Sequence, residues 1–328
     1  MRLFRLSLAP LTAFGTPLAG DTFFGQLCWT LRHLYGNQRL NTLLDGYTAG
    51  HPFAVVSDGL PHGFIPLPSL PGSFWTQHNS DDRKALKKKR WLPIEELESP
   101  LNDWRGLAWN DAEMAEAILG KDGTGQLAET ERAQPHNTLN RQTGTTGEGQ
   151  FAPYAMPQRW FHPAMRFDLY IVLDETKLSL EALTNALETM GQTGFGRDAS
   201  IGLGKFRCIG APQPHSFAAT ANTDSSELAN SWLTLGPCAP QGQGFCPQRS
   251  FYQTVTRFGR HGDIAVQSGN PFKRPILLAR AGAVFRPEHM LSQQSYVGQG
   301  IGGVSETMPE TVHQGYAPVV PICVKVPS

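Results

Sequence analysis

One supersecondary unit occurs twice in this chain, and it restricts the available folds more than any other feature. Phe4, Leu6 and Leu8 alternate with Arg5 and Ser7, the two-residue period of a half-buried strand. A Gly/Pro-containing loop follows (Gly15, Pro17, Gly20), and Asp21 is placed to cap a helix. Phe24, Leu27, Cys28, Leu31, Leu34 and Tyr35 then recur on one helical face, which Gly36 ends. Residues 53–57 predict a second strand, and the prolines up to Pro71 favour an edge or an extended ribbon. The pattern returns at Phe167, Leu169, Ile171 and Leu173, followed by a helix that Ser179 caps and that carries Leu180, Leu183, Leu187 and Met190. Further strands are predicted at 205–209, 251–258, 276–285 and 316–325.

A strand–helix–strand start in each half predicts an α+β chain of two related sandwiches, each with helices on one face of an antiparallel sheet. The expected units are residues 1–160 and 161–328. Residues 73 to about 132 interrupt the first as a charged insertion, with a helical stretch expected from Glu95 to Leu119. The insertion carries a basic cluster: Arg83, Lys84, Lys87, Lys88, Lys89 and Arg90. Such a run is either a solvated helix face or an arm that contacts phosphates. On a single strand, each phosphate neutralised adds about 0.7 to the salt slope of affinity.

Composition narrows the function classes. Of 328 residues, 40% are hydrophobic and 17% charged, enough apolar material for a folded core. Lys+Arg equals Asp+Glu at 28 each, which argues against a promiscuous nucleic-acid binder, usually basic overall, but leaves room for a local basic groove. The five cysteines contain no Cys-x2-Cys pair, so neither zinc nor a disulfide framework is expected, and reduced thiols in a cytoplasm fit best. The N-terminus reads as a strand rather than a signal peptide, and no 18-residue apolar run suggests a membrane span.

The second helix runs into Gly-Gln-Thr-Gly-Phe-Gly-Arg-Asp-Ala-Ser-Ile-Gly-Leu-Gly-Lys-Phe over 191–206. Gly191 can be the helix C′ residue and the rest a loose hairpin loop. Alternatively, the free N–H groups of a side-chain-poor ribbon after a helix face a phosphate backbone. A mononucleotide P-loop is excluded, because Ala199 stands where its first glycine belongs and Phe206 where its hydroxyl belongs. Gly298-x-Gly300-x-x-Gly303 matches the dinucleotide fingerprint but runs into Val304-Ser-Glu-Thr-Met-Pro309, which offers no helix to a pyrophosphate. Residues 135–147 are dense in small polar groups; they suit an ordinary hairpin turn, or contacts to phosphate and sugar with Arg141 forking onto a phosphate or stacking on a base.

Four segments together resemble a known family: Phe14 to Trp29 with its Gly-Asp-Thr-x-x-Gly-Gln helix start, Val56 to Gly63, Asn137-Thr-Leu-Asn-Arg141, and Gly194 to Lys205. They are similar to the RAMP superfamily of CRISPR proteins, antiviral defence components. Within it they resemble the subunit of type III-A (Csm) effector complexes that caps the 5′ end of the guide RNA. The resemblance runs along the whole chain and is weakest across 73–132 and 211–250. It implies two ferredoxin-like (RRM-like) domains in tandem with an inserted thumb, a grip on the repeat-derived 5′ handle, and no cofactor or catalysis. It also implies a place between the large signalling subunit and the first backbone subunit, with target RNA contacted indirectly. On this basis the RNA contacts expected are Gly194, Phe195, Gly196, Arg197, Asp198, Ser200, Gly202, Gly204 and Lys205 in the loop; Phe14, Thr16, Asp21, Thr22 and Gln26 at the first helix; Asn137, Asn140 and Arg141; and Lys87 and Lys88. Phe195 is expected to stack on a base, Arg197 and Lys205 to meet phosphates, and Asp198 to orient Arg197 or meet a 2′-hydroxyl. The thumb is either 73–132 or the Asn137–Arg141 hairpin.

The competing assignment is a metal-free endonuclease for CRISPR precursor RNA, with histidine as acid or base. His33, His136 and His162 are its candidates. His51 and His62 sit in Pro/Gly turns and are expected to be structural, as is Asp58 in its turn.

Overall fold

The computed structural model describes residues 1–76, 83–120, 127–217, 229–262, 270–288 and 294–325. Parts of the expected insertion, 77–82 and 121–126, lie outside them, as does the side chain of Arg83. The chain runs through β1 (Arg2–Pro10), α1 (Gly20–Tyr35), α2 (Asn37–Leu44) and β2 (Ala54–Val56), then short strands β3 (Leu60–Pro61) and β4 (Phe64–Pro66). Helix α3 (Arg83–Leu86), β5 (Trp91–Pro93), α4 (Trp104–Leu107), α5 (Asp111–Leu119), β6 (Glu129–His136) and β7 (Tyr154–Phe161) follow. Next come β8 (Phe167–Leu173), α6 (Leu180–Thr193) and β9 (Phe206–Pro214). The remainder is β10 (Ser231–Thr234), β11 (Thr254–Arg257), β12 (Ile276–Ala279), β13 (Val284–Phe285), β14 (Tyr296–Ile301) and β15 (His313–Ile322).

The two strand–helix–strand units do not head separate sheets, as the sequence pattern suggests; they interlock in one. Its order is β2-β8-β1-β9, with every neighbour antiparallel. That is the split βαββαβ arrangement of a ferredoxin-like fold. The expected division at residue 160 therefore separates two hydrogen-bonded strands, β1 and β8. The reason is the pleat. Phe4, Leu6 and Leu8 pair with Ile171, Leu169 and Phe167, so the apolar residues of both strands fall on one face. Helices α1 and α6 cover that face through Phe23, Phe24, Leu27, Leu31, Leu183, Leu187 and Met190. Neither half can bury its stripe alone.

The second sheet, β13-β10-β15-β14, contains no α-helix among its described residues, unlike the helix-covered second sandwich expected. It packs beside β3 and β8 through Leu233, Val320 and Ile322 against Leu60 and Tyr170. The buried amide of Gln314 fastens it further, donating to Val56 O and accepting from Val56 N–H at 2.8 Å each.

The helix expected over Glu95–Leu119 is broken into 3-10 turns at 94–98 and 101–103, then α4 and α5. Pro93 and Pro100 each stand just before a turn, where the missing N–H costs nothing. Asn110 restarts the helix in a capping box with Glu113. The β6–β7 ribbon pairs along its whole length, and its tip over 137–149 is almost wholly exposed.

Candidate nucleic-acid interface

Three segments meet at the end of β1. Leu11 and Thr12 donate their N–H groups to Lys205 O, and Lys205 N–H donates to Thr12 Oγ1 at 2.9 Å. Gly204 N–H donates to Ala13 O at 2.7 Å. Phe14 and Arg159, at the root of the β6–β7 ribbon, exchange both main-chain bonds at 2.8 and 2.9 Å. Arg197 then ties all three together: its N–H donates to Thr16 Oγ1 at 2.9 Å and its guanidinium to Pro157 O at 3.0 Å. The loop after α6, the loop before α1 and the ribbon root form one bonded junction.

The glycines are there for this packing. Gly191 lies inside α6 rather than at its end, where a Cβ would stand 2.4 Å from Phe206 O. Gly194 is the C-cap at φ 103, and Gly204 at φ 72 leaves a Cβ only 2.1 Å from Phe195 O. Gly196 would press a Cβ onto Thr16 at 2.7 Å. Gly202, at φ 97, faces open space.

Two expected contacts are corrected. Phe195 is wholly buried, stacked on Phe23 with ring centroids 4.4 Å apart, and offers no face to a base. Phe14 is buried edge-on to Phe161 at 5.6 Å. Both rings are core because the loop folds back over the α1 start; each such pair contributes about 0.5–1.5 kcal/mol beyond its area burial.

The charged groups of the junction remain at the surface. Arg197 is 43% exposed and its Nε lies 3.2 Å from Asp198 Oδ2. Asp198 takes φ 67, a conformation aspartate tolerates better than most. Ser200 and Arg207 are exposed and Lys205 half-buried. In the ribbon tip Asn137 and Arg141 are exposed, while Asn140 shapes the turn by accepting from Gln142 N–H at 2.9 Å. Lys87 and Lys88 are exposed just after α3; their neighbours Lys89 and Arg90 are engaged by Glu113 and Asp111 at 2.7 Å.

The α1 start also differs from expectation. Ala19 is the N-cap, and Gly20 N–H donates to Asp58 Oδ1 at 2.7 Å. Asp21 is buried in a two-pronged ion pair with Arg257, at 2.6 and 2.7 Å, with His313 Nε2 at 3.3 Å; Arg257 also donates to Thr22 Oγ1. Burial alone would raise the Asp21 carboxyl, but hydrogen bonds from His313 and Arg257 hold it at about 2. Asp21 and Thr22 therefore face protein, not RNA. Gln26 is half-buried one turn further along α1. Burial pushes Asp58 the other way, to about 7, with the Asp21 charge adding to it against the Gly20 N–H bond. Arg257 and His313 are far from Asp21 in sequence, and no local pattern announces the contact.

The histidine candidates do not converge. His33 stacks beside Trp29, His136 stacks on Tyr154 in the ribbon, and His162 Nδ1 accepts from Ala164 N–H. Asp58, by contrast, has the structural role expected of it. Among the described residues no group of three His, Cys, Asp or Glu side chains is placed to hold a metal ion, and no helix is long and apolar enough to cross a membrane.

No protein-family model matches the chain, and no curated protein matches it. Solved structures do. One chain of the crystal structure of a Csm3–Csm4 subcomplex in the type III-A CRISPR–Cas interference complex is 14% identical at a TM-score of 0.63, covering 97% of this chain and 99% of that one. Chains of the Csm1–Csm4 cassette in complex with pppApA and with cA4 are each 12% identical, at TM-scores of 0.56 and 0.55 and 99% coverage of both chains. Csm4 is the component common to these assemblies. Over nearly its full length, this chain is similar in fold to a chain of each of these Csm4-containing structures.

Proposed function

We propose that this chain is a guide-RNA-binding subunit of a type III-A CRISPR interference complex. It grips the repeat-derived 5′ handle and bridges the large subunit to the first backbone subunit, and it catalyses no reaction itself. The observation that carries this reading is the bonded junction of glycine loop, β1–α1 loop and ribbon root, with Arg197 on its surface. A rigid main-chain platform with a few exposed cations suits a single strand, because backbone contacts position RNA without demanding a base sequence. The solved Csm3–Csm4 and Csm1–Csm4 assemblies, each with one chain whose fold this chain shares, support the two protein partners. The β6–β7 ribbon, exposed along most of its length, is the thumb in this reading.

Photo-crosslinking of the reconstituted complex, with 4-thiouridine in the handle, tests it. Crosslinked peptides should map to 11–16, 194–207 and the ribbon tip. Efficient crosslinks to the other subunits, with none to these segments, would overturn the proposal.

A further inference from the structure

The helix-free face of the ferredoxin-like sheet carries a polar cluster that the junction does not use. Asp168 lies in β8, a strand otherwise apolar or aromatic, and its side chain is wholly inaccessible. Four donors surround it: Ser7 Oγ at 2.6 Å, the Arg5 guanidinium at 2.8 Å, His62 Nδ1 at 2.9 Å and Gly63 N–H at 3.1 Å. Burial would raise this carboxyl, but the hydrogen bonds hold it below the usual aspartate range. The fixed anion in turn fixes Arg5 and His62. Arg5 touches the cluster through one amino group and stays 29% exposed; His62 turns Nδ1 inward and is 49% exposed, so Nε2 points away from the carboxylate. His62 lies in a turn, as expected, and its Nδ1 contact with Asp168 is structural.

The register extends the cluster into a path. Opposed residues of an antiparallel pair share a face, and Arg5, Ser7 and Ala9 of β1 oppose Gln213, Ile209 and Arg207 of β9. Gln213, Ile209 and Arg207 are all exposed, and β9 is a sheet edge. Arg207 lies two residues beyond Lys205 of the junction. Six residue steps separate Arg5 from Leu11, which bonds Lys205; at about 3.3 Å each this is roughly 20 Å. On the same face, Tyr170 Oη and His215 Nε2 are buried with no hydrogen-bond partner among the described residues. They are polar capacity that the described fold does not consume.

Resting on the RNA-binding reading above, we propose that Arg5 and His62, preset by Asp168, bind a backbone phosphate of the same single strand after it leaves the glycine loop and crosses Arg207 and Ile209. A planar guanidinium beside an imidazole, both held in place before binding, suits a phosphate oxygen pair. Ile209 offers an apolar face to a base or ribose between the cations.

The test measures binding of the full-length chain to a fluorescein-labelled RNA carrying the 5′ handle, as a function of salt. Arg5→Gln and His62→Gln are each expected to weaken binding about tenfold, the loss of one charge-assisted contact. Arg207→Gln, at an exposed side chain of the edge strand, is expected to lower the salt slope by about 0.7. If Arg5→Gln fails to fold, His62→Gln and Arg207→Gln decide the matter. Wild-type binding by these variants, alongside weak binding by Arg197→Ala/Lys205→Ala, overturns the sheet-face path and leaves the functional reading standing. Wild-type binding by all of them overturns both. Unchanged RNA binding with loss of a partner subunit from the assembled complex would make the face a protein contact instead, and would equally overturn the path.

Discussion

The Arg197 main chain is bonded to Thr16 across 181 residues of sequence, N–H to Oγ1 at 2.9 Å. This contact makes the glycine loop part of the sheet's end rather than a free ribbon. It also sets Arg197 against the ribbon root, where its guanidinium reaches Pro157 O. The proposed RNA platform thus depends on Thr16, a residue outside the glycine loop. Thr16→Ala should cost about 1 kcal/mol of stability. It should also weaken handle RNA binding several-fold, while Thr16→Ser restores both. Chemical denaturation and fluorescence anisotropy read the two effects.

Phe195 belongs to the core, and its substitutions separate packing from recognition. Phe195→Ala should destabilise by about 3–5 kcal/mol, the usual cost of emptying a buried aromatic site. Phe195→Leu should keep the fold and bind RNA like the wild type, because the ring never meets a base. Weakened RNA binding by Phe195→Leu with an unchanged melting temperature would contradict the core role.

Two loop glycines should respond differently to alanine. At Gly204 a Cβ meets the Phe195 carbonyl at 2.1 Å, and the loop cannot close. At Gly202 only the left-handed conformation resists, costing about 1–2 kcal/mol. Gly204→Ala should therefore lose RNA binding and much stability, while Gly202→Ala keeps a measurable affinity. Thermal melts with parallel binding titrations compare them.

Asp58 gives the fold a pH dependence with a definite sign. Its carboxyl rises from 3.8 to about 7 on folding, so the native state holds the extra proton within that window. Stability from this group falls as pH rises through the window and levels off above 7. Asp58→Asn keeps an oxygen for Gly20 N–H and removes the titration. The wild type should lose stability between pH 5 and pH 8 relative to Asp58→Asn, measured by urea denaturation; parallel profiles would contradict the assignment.

Much of the fold was legible because periodicity is local. The alternation in β1 and β8 and the apolar faces of α1 and α6 follow directly from residue spacing. Their pairing into one sheet was not, because strands 2–10 and 167–173 declare a buried face but not whose partner they are. The glycine stretch was legible as a loop after a helix, yet its aromatic was misplaced; sequence cannot say whether Phe195 points out to a base or in to Phe23. The Asp168 cluster left one trace, a single aspartate in a buried strand, with Arg5 and Ser7 at the polar positions of β1. Its histidine came from a turn 106 residues away, beyond any local pattern.

The central claim is that the junction surface holds the 5′ end of a guide RNA. Nuclease protection of that end in the reconstituted complex, with wild type against Arg197→Ala/Lys205→Ala, measures it most directly. The handle should be protected by the wild type and digested when the two cations are removed, with assembly intact. Equal protection by both would contradict the account.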